Sequence, residues 1–208
     1  MTAKPIAPKG DDHGEYRRAL AALIDRVQQA LKDIKPGSAP IKMYLAGGAA
    51  LNLLTGARAT EDVDATFSRR VLFDGDIEIS YRDAGGRARL LYLDRNYNDR
   101  LGLMHEDAYT DSKPVAIPGI DRKIIDVRTL APVDLAVSKL SRFSDQDRED
   151  MEVLARAGLI DSASLRKRGE EALGGYVGNL TSVRLSLDRA CRVIEAARPV
   201  RRRRDKPA

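Results

Sequence analysis

Cysteine, tryptophan and histidine are almost missing from this chain of 208 residues, which has one Cys, no Trp and two His. The lone Cys191 lies in a helical pattern beside Ala190 and Val193. That excludes a disulfide framework and points to a core thiol in a reducing compartment. His13 and His105 are too few and too far apart for a zinc site, and no Ser-His-Asp or Cys-His arrangement is present. Aromatics are only 5% of the chain, which argues against a broad stacking platform for single-stranded nucleic acid. No apolar run reaches membrane-spanning length. The start of the chain carries Lys4, Pro5, Pro8, Lys9, Asp11 and Asp12 with no apolar stretch, so no signal peptide is expected. A cytoplasmic protein without a membrane partner is the expectation.

What is present is ordinary for a soluble enzyme: 43% hydrophobic and 32% charged residues, with a formal net charge of +5. The charge is unevenly placed. From Arg198 to Ala208 six basic residues (Arg198, Arg201, Arg202, Arg203, Arg204 and Lys206) face the single acid Asp205, a net +5 that equals the whole excess. A basic end of this kind is ordinarily a solvated, disordered segment. Its functional reading is an electrostatic arm for RNA, DNA or nucleotide phosphates.

Residues 1–14 read as a polar, flexible start. Leu20, Leu23, Ile24, Val27, Leu31 and Ile34 fall at helical spacing and are stopped by Lys35-Pro36-Gly37. Ile41 to Ala46 reads as a strand, Ala49 to Leu54 as a short helix closed at Gly56, and Glu61 to Phe67 as an alternating strand. Asp76 to Arg82 and Arg87 to Leu93, separated by Asp83-Ala84-Gly85-Gly86, predict a hairpin. Leu101 to Ala108 and Lys123 to Leu130 are further strand candidates. Beyond Pro132 the pattern is helical throughout: 132–142, Asp145 to Ala157, a segment capped at Asp161 or Ser162 and running to Leu173, and Thr181 to Ala197.

One constellation carries chemistry. Gly47-Gly48 opens a helix, and Asp62-Val63-Asp64 follows on a strand. Side chains two apart on a strand share a face, so Asp62 and Asp64 can share a cation that relieves their mutual repulsion. Magnesium takes oxygen ligands and keeps phosphates as partners. The glycines let backbone N–H groups approach a phosphate at the positive end of the helix. Either half alone is a weak signal: Asp-x-Asp is common on solvated strands, and Gly-Gly often only ends one.

In this order the two halves resemble the nucleotidyltransferase (polymerase-beta-like) superfamily, in which a Gly-Gly or Gly-Ser turn precedes a carboxylate, an apolar residue and a carboxylate. Gly48 stands here in place of Ser. A second segment carries the resemblance further. Pro132-Val133-Asp134-Leu135, Lys139-Leu140, Arg142 and Asp145-Gln146-Asp147-Arg148-Glu149-Asp150 are similar to the AbiEii-like branch, the toxin nucleotidyltransferases of type IV toxin–antitoxin systems, and to uncharacterised bacterial relatives. The resemblance spans roughly residues 41–157. It implies Lys139 as a phosphate ligand and Asp147 or Asp150 as an accessory carboxylate. The bland alternatives are a surface lysine and an acidic first turn favoured by the helix dipole. Superfamily members usually have a third carboxylate on a neighbouring strand. Asp107 and Asp126 compete for it, and the order of elements favours Asp107.

The expected fold is α/β (α+β): a small mixed sheet of nucleotidyltransferase type, an N-terminal helix and a C-terminal helical bundle. The divisions are a flexible start (1–14), a core (15–131), a helical region (132–197) and a basic tail (198–208). The expected reaction moves a nucleoside monophosphate from a nucleoside triphosphate to an acceptor hydroxyl. Asp62 and Asp64 hold Mg2+, while Gly47, Gly48 and Lys139 bind phosphate. The acceptor is RNA such as tRNA, a protein or a small molecule, and the resemblance alone implies an antitoxin partner. Two alternatives are a nucleotide-binding relative with little transfer activity and a nucleic-acid-binding module that works through its tail.

Overall fold

The computed structural model describes residues 14–32, 39–95 and 102–198. The predicted flexible start and nearly all of the basic tail lie outside the described residues. Helix α1 (Gly14–Leu31) buries Tyr16, Leu20, Leu23, Ile24, Val27 and Leu31, spaced three and four apart, as one apolar stripe. That stripe packs on the predicted hairpin, β3 (Ile77–Arg82) and β4 (Ala88–Leu93). Tyr16 meets Tyr81 edge-on at 6.3 Å between ring centroids, and Arg26 donates to the Glu78 carbonyl at 2.7 Å. The Asp83 carboxylate closes the hairpin turn by accepting from the N–H groups of Gly85 and Arg87.

A four-stranded sheet of β1 (Ile41–Leu45), β2 (Ala65–Phe67), β5 (Lys113–Pro114) and β6 (Ile125–Thr129) has the order β2-β1-β6-β5. β1 and β6 are parallel, and the two outer pairings are antiparallel. Register assigns the two faces. Ile41, Met43, Leu45, Ala65, Ile125 and Val127 are buried on one. Lys42, Tyr44, Thr66, Asp126 and Arg128 lie on the other, and the ladder extends along it to Asp64, whose carbonyl accepts from Ala46 N–H at 2.9 Å.

Helix α2 (Gly47–Thr55) follows β1. The helical region comprises α3 (Pro132–Val137), α4 (Asp145–Arg156), α5 (Ser162–Leu173) and α6 (Leu180–Ala197). Pro132 at the start of α3 and the capping boxes Ser144/Asp147 and Asp161/Ser164 give these helices the sequence-encoded starts that pattern reading finds. α4 and α5 pack on α6, and α2 touches α3 and α4, so the helical region closes against the helix that follows β1. Three expectations change. The strand predicted from Glu61 to Phe67 begins only at Ala65, so Asp62 stands in an isolated bridge to Tyr92 and Asp64 lies between that bridge and β2. The helix predicted over 132–142 ends at Val137, and turns lead to Phe143 at φ +46°. The strand predicted over 101–108 is a series of turns from Gly102 onward, with Leu103 and Ala108 buried as loop anchors; Leu101 itself lies outside the described residues. Its apolar residues reach the core without a partner strand.

Candidate active site

The path from α2 to the carboxylates is fixed by a buried amide. Gly56 ends α2 in the left-handed region at φ 74°. Fully buried Asn52 donates to the carbonyls of Ala57 and Arg58, while the Arg17 guanidinium donates to the Asn52 side chain at 3.4 Å and to its carbonyl at 3.1 Å. The hydroxyl of Thr60 then donates to the Asp62 carbonyl at 3.2 Å. Asp62 bridges to Tyr92 of β4: Val63 N–H donates to the Tyr92 carbonyl and Tyr92 N–H to the Glu61 carbonyl, each at 2.9 Å. The Tyr92 hydroxyl also donates to the Asp62 carboxylate, which pushes the phenol above its ordinary value. The hairpin thereby braces the Asp-x-Asp segment from the side opposite β1.

The glycine turn meets the second carboxylate directly. Gly47 has φ +53°, and a Cβ placed on it would lie 1.8 Å from Asp64 Oδ2. No L side chain fits there, so the first turn of α2 and the Asp64 carboxylate occupy one corner. Gly48 has another reason for its identity. It is buried, and a Cβ would lie 2.8 Å from Thr60 Cβ and 3.2 Å from Arg58 Nη1. A Gly48→Val change therefore strikes the loop that carries Arg58 in addition to any phosphate approach.

The charges of three cations act on Asp64. Its carboxyl is pushed above the usual range first by burial and then by the neighbouring charge of Asp62, with Lys139, Arg142 and Arg58 pulling the other way. Those cations are held from behind. Arg58 bonds both oxygens of Asp150, at 3.1 and 3.0 Å, and Lys139 Nζ reaches Asp150 at 2.7 Å and Asp147 at 3.3 Å. Arg142 makes a two-pronged pair with Asp147 at 3.0 and 2.9 Å. Burial would raise the Asp147 carboxyl, but hydrogen bonds from Arg142 and Ser144 override it and hold the group well below the carboxylate range. Asp147 and Asp150 are almost fully enclosed, so their geometry anchors Arg58, Lys139 and Arg142 rather than facing a nucleotide. Pattern reading found Lys139, Asp147 and Asp150 but not Arg58, whose partner Asp150 is 92 positions away.

The two carboxylates considered for the third position lie elsewhere. Asp107 sits in the loop before β5, exposed beside His105. It lines a cleft of about 950 Å3 whose other walls include Met104, Lys167, Arg168 and Glu171. Asp126 shares the sheet face with Asp64, but register places it four residues, about 13 Å, along the strands and two strands across. Arg122 and Arg128 each bond it at 2.9 Å. Pattern reading passed over Asp94, which follows the Asp62–Tyr92 bridge by two residues and whose charge acts on the Tyr92 hydroxyl.

Among the described residues no group of three or more His, Cys, Asp and Glu could hold a metal ion. A carboxylate pair is what magnesium uses when substrate phosphates complete its shell. The charge of Asp62 that raises the Asp64 carboxyl is repulsion that a divalent cation would relieve, so the donor set fits that ion.

A mixed sheet, a glycine-led helix and an Asp-x-Asp segment whose Asp64 carboxyl feels the charges of Lys139, Arg142 and Arg58 are the marks of a nucleotidyltransferase-type domain. The chain belongs to the family described as "Nucleotidyltransferase of unknown function (DUF6036)", whose model matches residues 21–176, a span that holds every site residue from Gly47 to Asp150. No curated protein and no solved structure matches the chain. No helix among the described residues is long and apolar enough to cross a membrane.

Proposed function

We propose that this protein transfers a nucleoside monophosphate from a nucleoside triphosphate to an acceptor hydroxyl, with Mg2+ as its cofactor. The observation that carries the reading is the convergence on Asp64 of the Gly47 turn, the Asp62 carboxylate and the cations Arg58, Lys139 and Arg142. Asp62 and Asp64 would hold the ion, which supplies charge neutralisation and orientation at the phosphates. The first turn of α2 offers N–H groups and its positive end to the β and γ phosphates. Arg142, 73% exposed, reaches them most freely, while Lys139 and Arg58 add positive charge from behind. The acceptor oxygen bonds to the α phosphorus, the bond from that phosphorus to the bridging oxygen breaks, and pyrophosphate leaves with the electron pair. The hydroxyl proton passes to solvent or to a nearby carboxylate.

On the resemblance set out above, the reading extends to RNA such as tRNA as acceptor and to the toxin of a toxin–antitoxin pair with an antitoxin protein as partner. Support for that extension is the motif from Pro132 to Asp150 alone. The test is transfer of label from each α-labelled NTP to RNA, protein and small hydroxyl compounds by the wild type, Asp62→Asn and Asp64→Asn. Both variants should lose roughly 10²-fold or more, the scale of removing one preorganised charge-stabilising group. Magnesium-dependent NTP binding and label transfer that persist in both variants would overturn the assignment.

A further inference from the structure

The face of the sheet that carries Asp64 continues past the carboxylates, with Tyr44 and Thr66 on it largely covered. Beyond Asp64 it forms a cleft of about 450 Å3 walled by Tyr44, Thr66, Ser68, Arg69, Arg70 and Tyr109, a size in the range of small-ligand sites. Register fixes its place. Tyr44 pairs with Thr66, and the ladder bond from Ala46 to Asp64 lies one step further along. The cleft thus begins about 7 Å from Asp64 along β2, on the side away from Gly47 and α2.

Direction matters for chemistry. In-line displacement at phosphorus brings the nucleophile in opposite the leaving group. With the β and γ phosphates at Gly47, Arg58, Lys139 and Arg142, the acceptor must arrive from the Thr66 side, where this cleft opens.

The lining is of two kinds. The Tyr44 and Tyr109 rings lie 4.7 Å apart between centroids, tilted at 46°, so that half-buried Tyr109 backed by buried Tyr44 forms an aromatic wall. Arg69 and Arg70 are exposed at the rim, and Lys42 is exposed on the same sheet face two residues before Tyr44. No carboxylate among the described residues lines the cleft. A flat ring plus a phosphate is the ligand chemistry that such a pairing recognises.

Resting on the nucleotidyltransferase reading above, we infer that this cleft is the acceptor subsite and takes a nucleotide unit, its base against Tyr44 and Tyr109, its phosphate on Arg69 and Arg70, and its sugar hydroxyl directed at Asp64. The unit comes either from the end of a polynucleotide or from a free mononucleotide.

The test measures binding with the full chain and no NTP, using a short 5′-fluorescein-labelled single-stranded RNA with a free 3′ hydroxyl, and AMP as competitor. The double variant Arg69→Ser/Arg70→Ser should bind the RNA roughly tenfold more weakly, with a shallower dependence on salt. Tyr109→Leu keeps apolar volume and removes the ring. It should weaken binding about tenfold, within the range of one lost base–aromatic stack, and leave the salt slope unchanged. Calorimetric titration of magnesium-NTP should give wild-type affinity in both variants, which shows that they are folded with an intact triphosphate site. Displacement of the RNA by AMP at comparable affinity assigns the free nucleotide, and retention of the RNA against AMP assigns a polynucleotide end; either upholds the subsite. It is overturned if the wild type binds neither probe or if both variants bind as the wild type does. These readouts need no turnover, so their failure is distinguishable from failure of the Asp62 and Asp64 transfer assay.

Discussion

Asp64 and Asp126 lie on one face of one sheet, and their surroundings are opposites. Asp126 is matched by two guanidinium groups, Arg122 and Arg128, at 2.9 Å each. Asp64 instead has another carboxylate as a close neighbour. The cations near it are already committed to Asp147 and Asp150, and its own carboxyl is pushed upward. The contrast teaches that residue type and face do not by themselves suit a carboxylate to the proposed role. Incomplete compensation does, because it leaves charge for a cation and a phosphate to satisfy.

The sharpest way to break this contrast is to neutralise each acid in turn. Asp64→Asn should lower nucleotidyl transfer by roughly 10²-fold or more, while Asp126→Asn should leave it within a few-fold, both read with α-labelled NTP. Comparable losses would mean that both ends of the face serve the reaction. Stability should invert the order. Asp126→Asn removes the charged partner of two arginines and should cost about 1–3 kcal/mol in urea unfolding. Asp64→Asn relieves repulsion and should be neutral or slightly stabilising.

The pH dependence of stability should carry opposite signs at Asp64 and Asp147. An acid whose folded pKa is raised, such as Asp64, costs stability as pH rises through and beyond its unfolded value of about 4. The gain from Asp64→Asn should therefore appear on going from acid to neutral pH. Asp147, held low by Arg142 and Ser144, stabilises the fold above about pH 4, and that contribution is lost as pH falls through the acid range. Asp147→Asn should flatten the acid limb of the melting temperature against pH. The smallest effect belongs to the basic end. Truncation after Ala197 should spare transfer to a small acceptor and reduce only the salt slope of RNA binding. Parallel slopes for the full and shortened chains would make that segment a passive end.

Much of this was readable because the signals are local. The α1 stripe, the Asp83-Ala84-Gly85-Gly86 hairpin, the Gly47 and Asp-x-Asp pair and the capped helices after Pro132 each declare themselves within a few residues. What escaped depends on distant partners. Arg58 acquires its place from Asp150, and Asn52 from Arg17, Ala57 and Arg58. Leu103 and Ala108 look like a strand because they are apolar, yet they are buried from a loop. Gly102, at φ +38°, lies so close to Ser138 that a Cβ would come within 2.4 Å of its carbonyl oxygen. Tyr92 gives no motif at all; only the bridge to Asp62 shows why it stands there.

The Arg58–Asp150 pair also dictates an order of events during folding. Contacts that close so long a stretch of chain cost much loop entropy and form late, after local helices and hairpins. The sheet, the glycine turn and both carboxylates of the proposed site can assemble from the chain up to Thr129. Lys139 and Arg142, and the Asp150 carboxylate that holds Arg58, arrive only when the chain from Pro132 through α4 docks. A nascent chain would therefore carry its carboxylates for some time before it could grip a triphosphate, and completion of the site would coincide with completion of the fold.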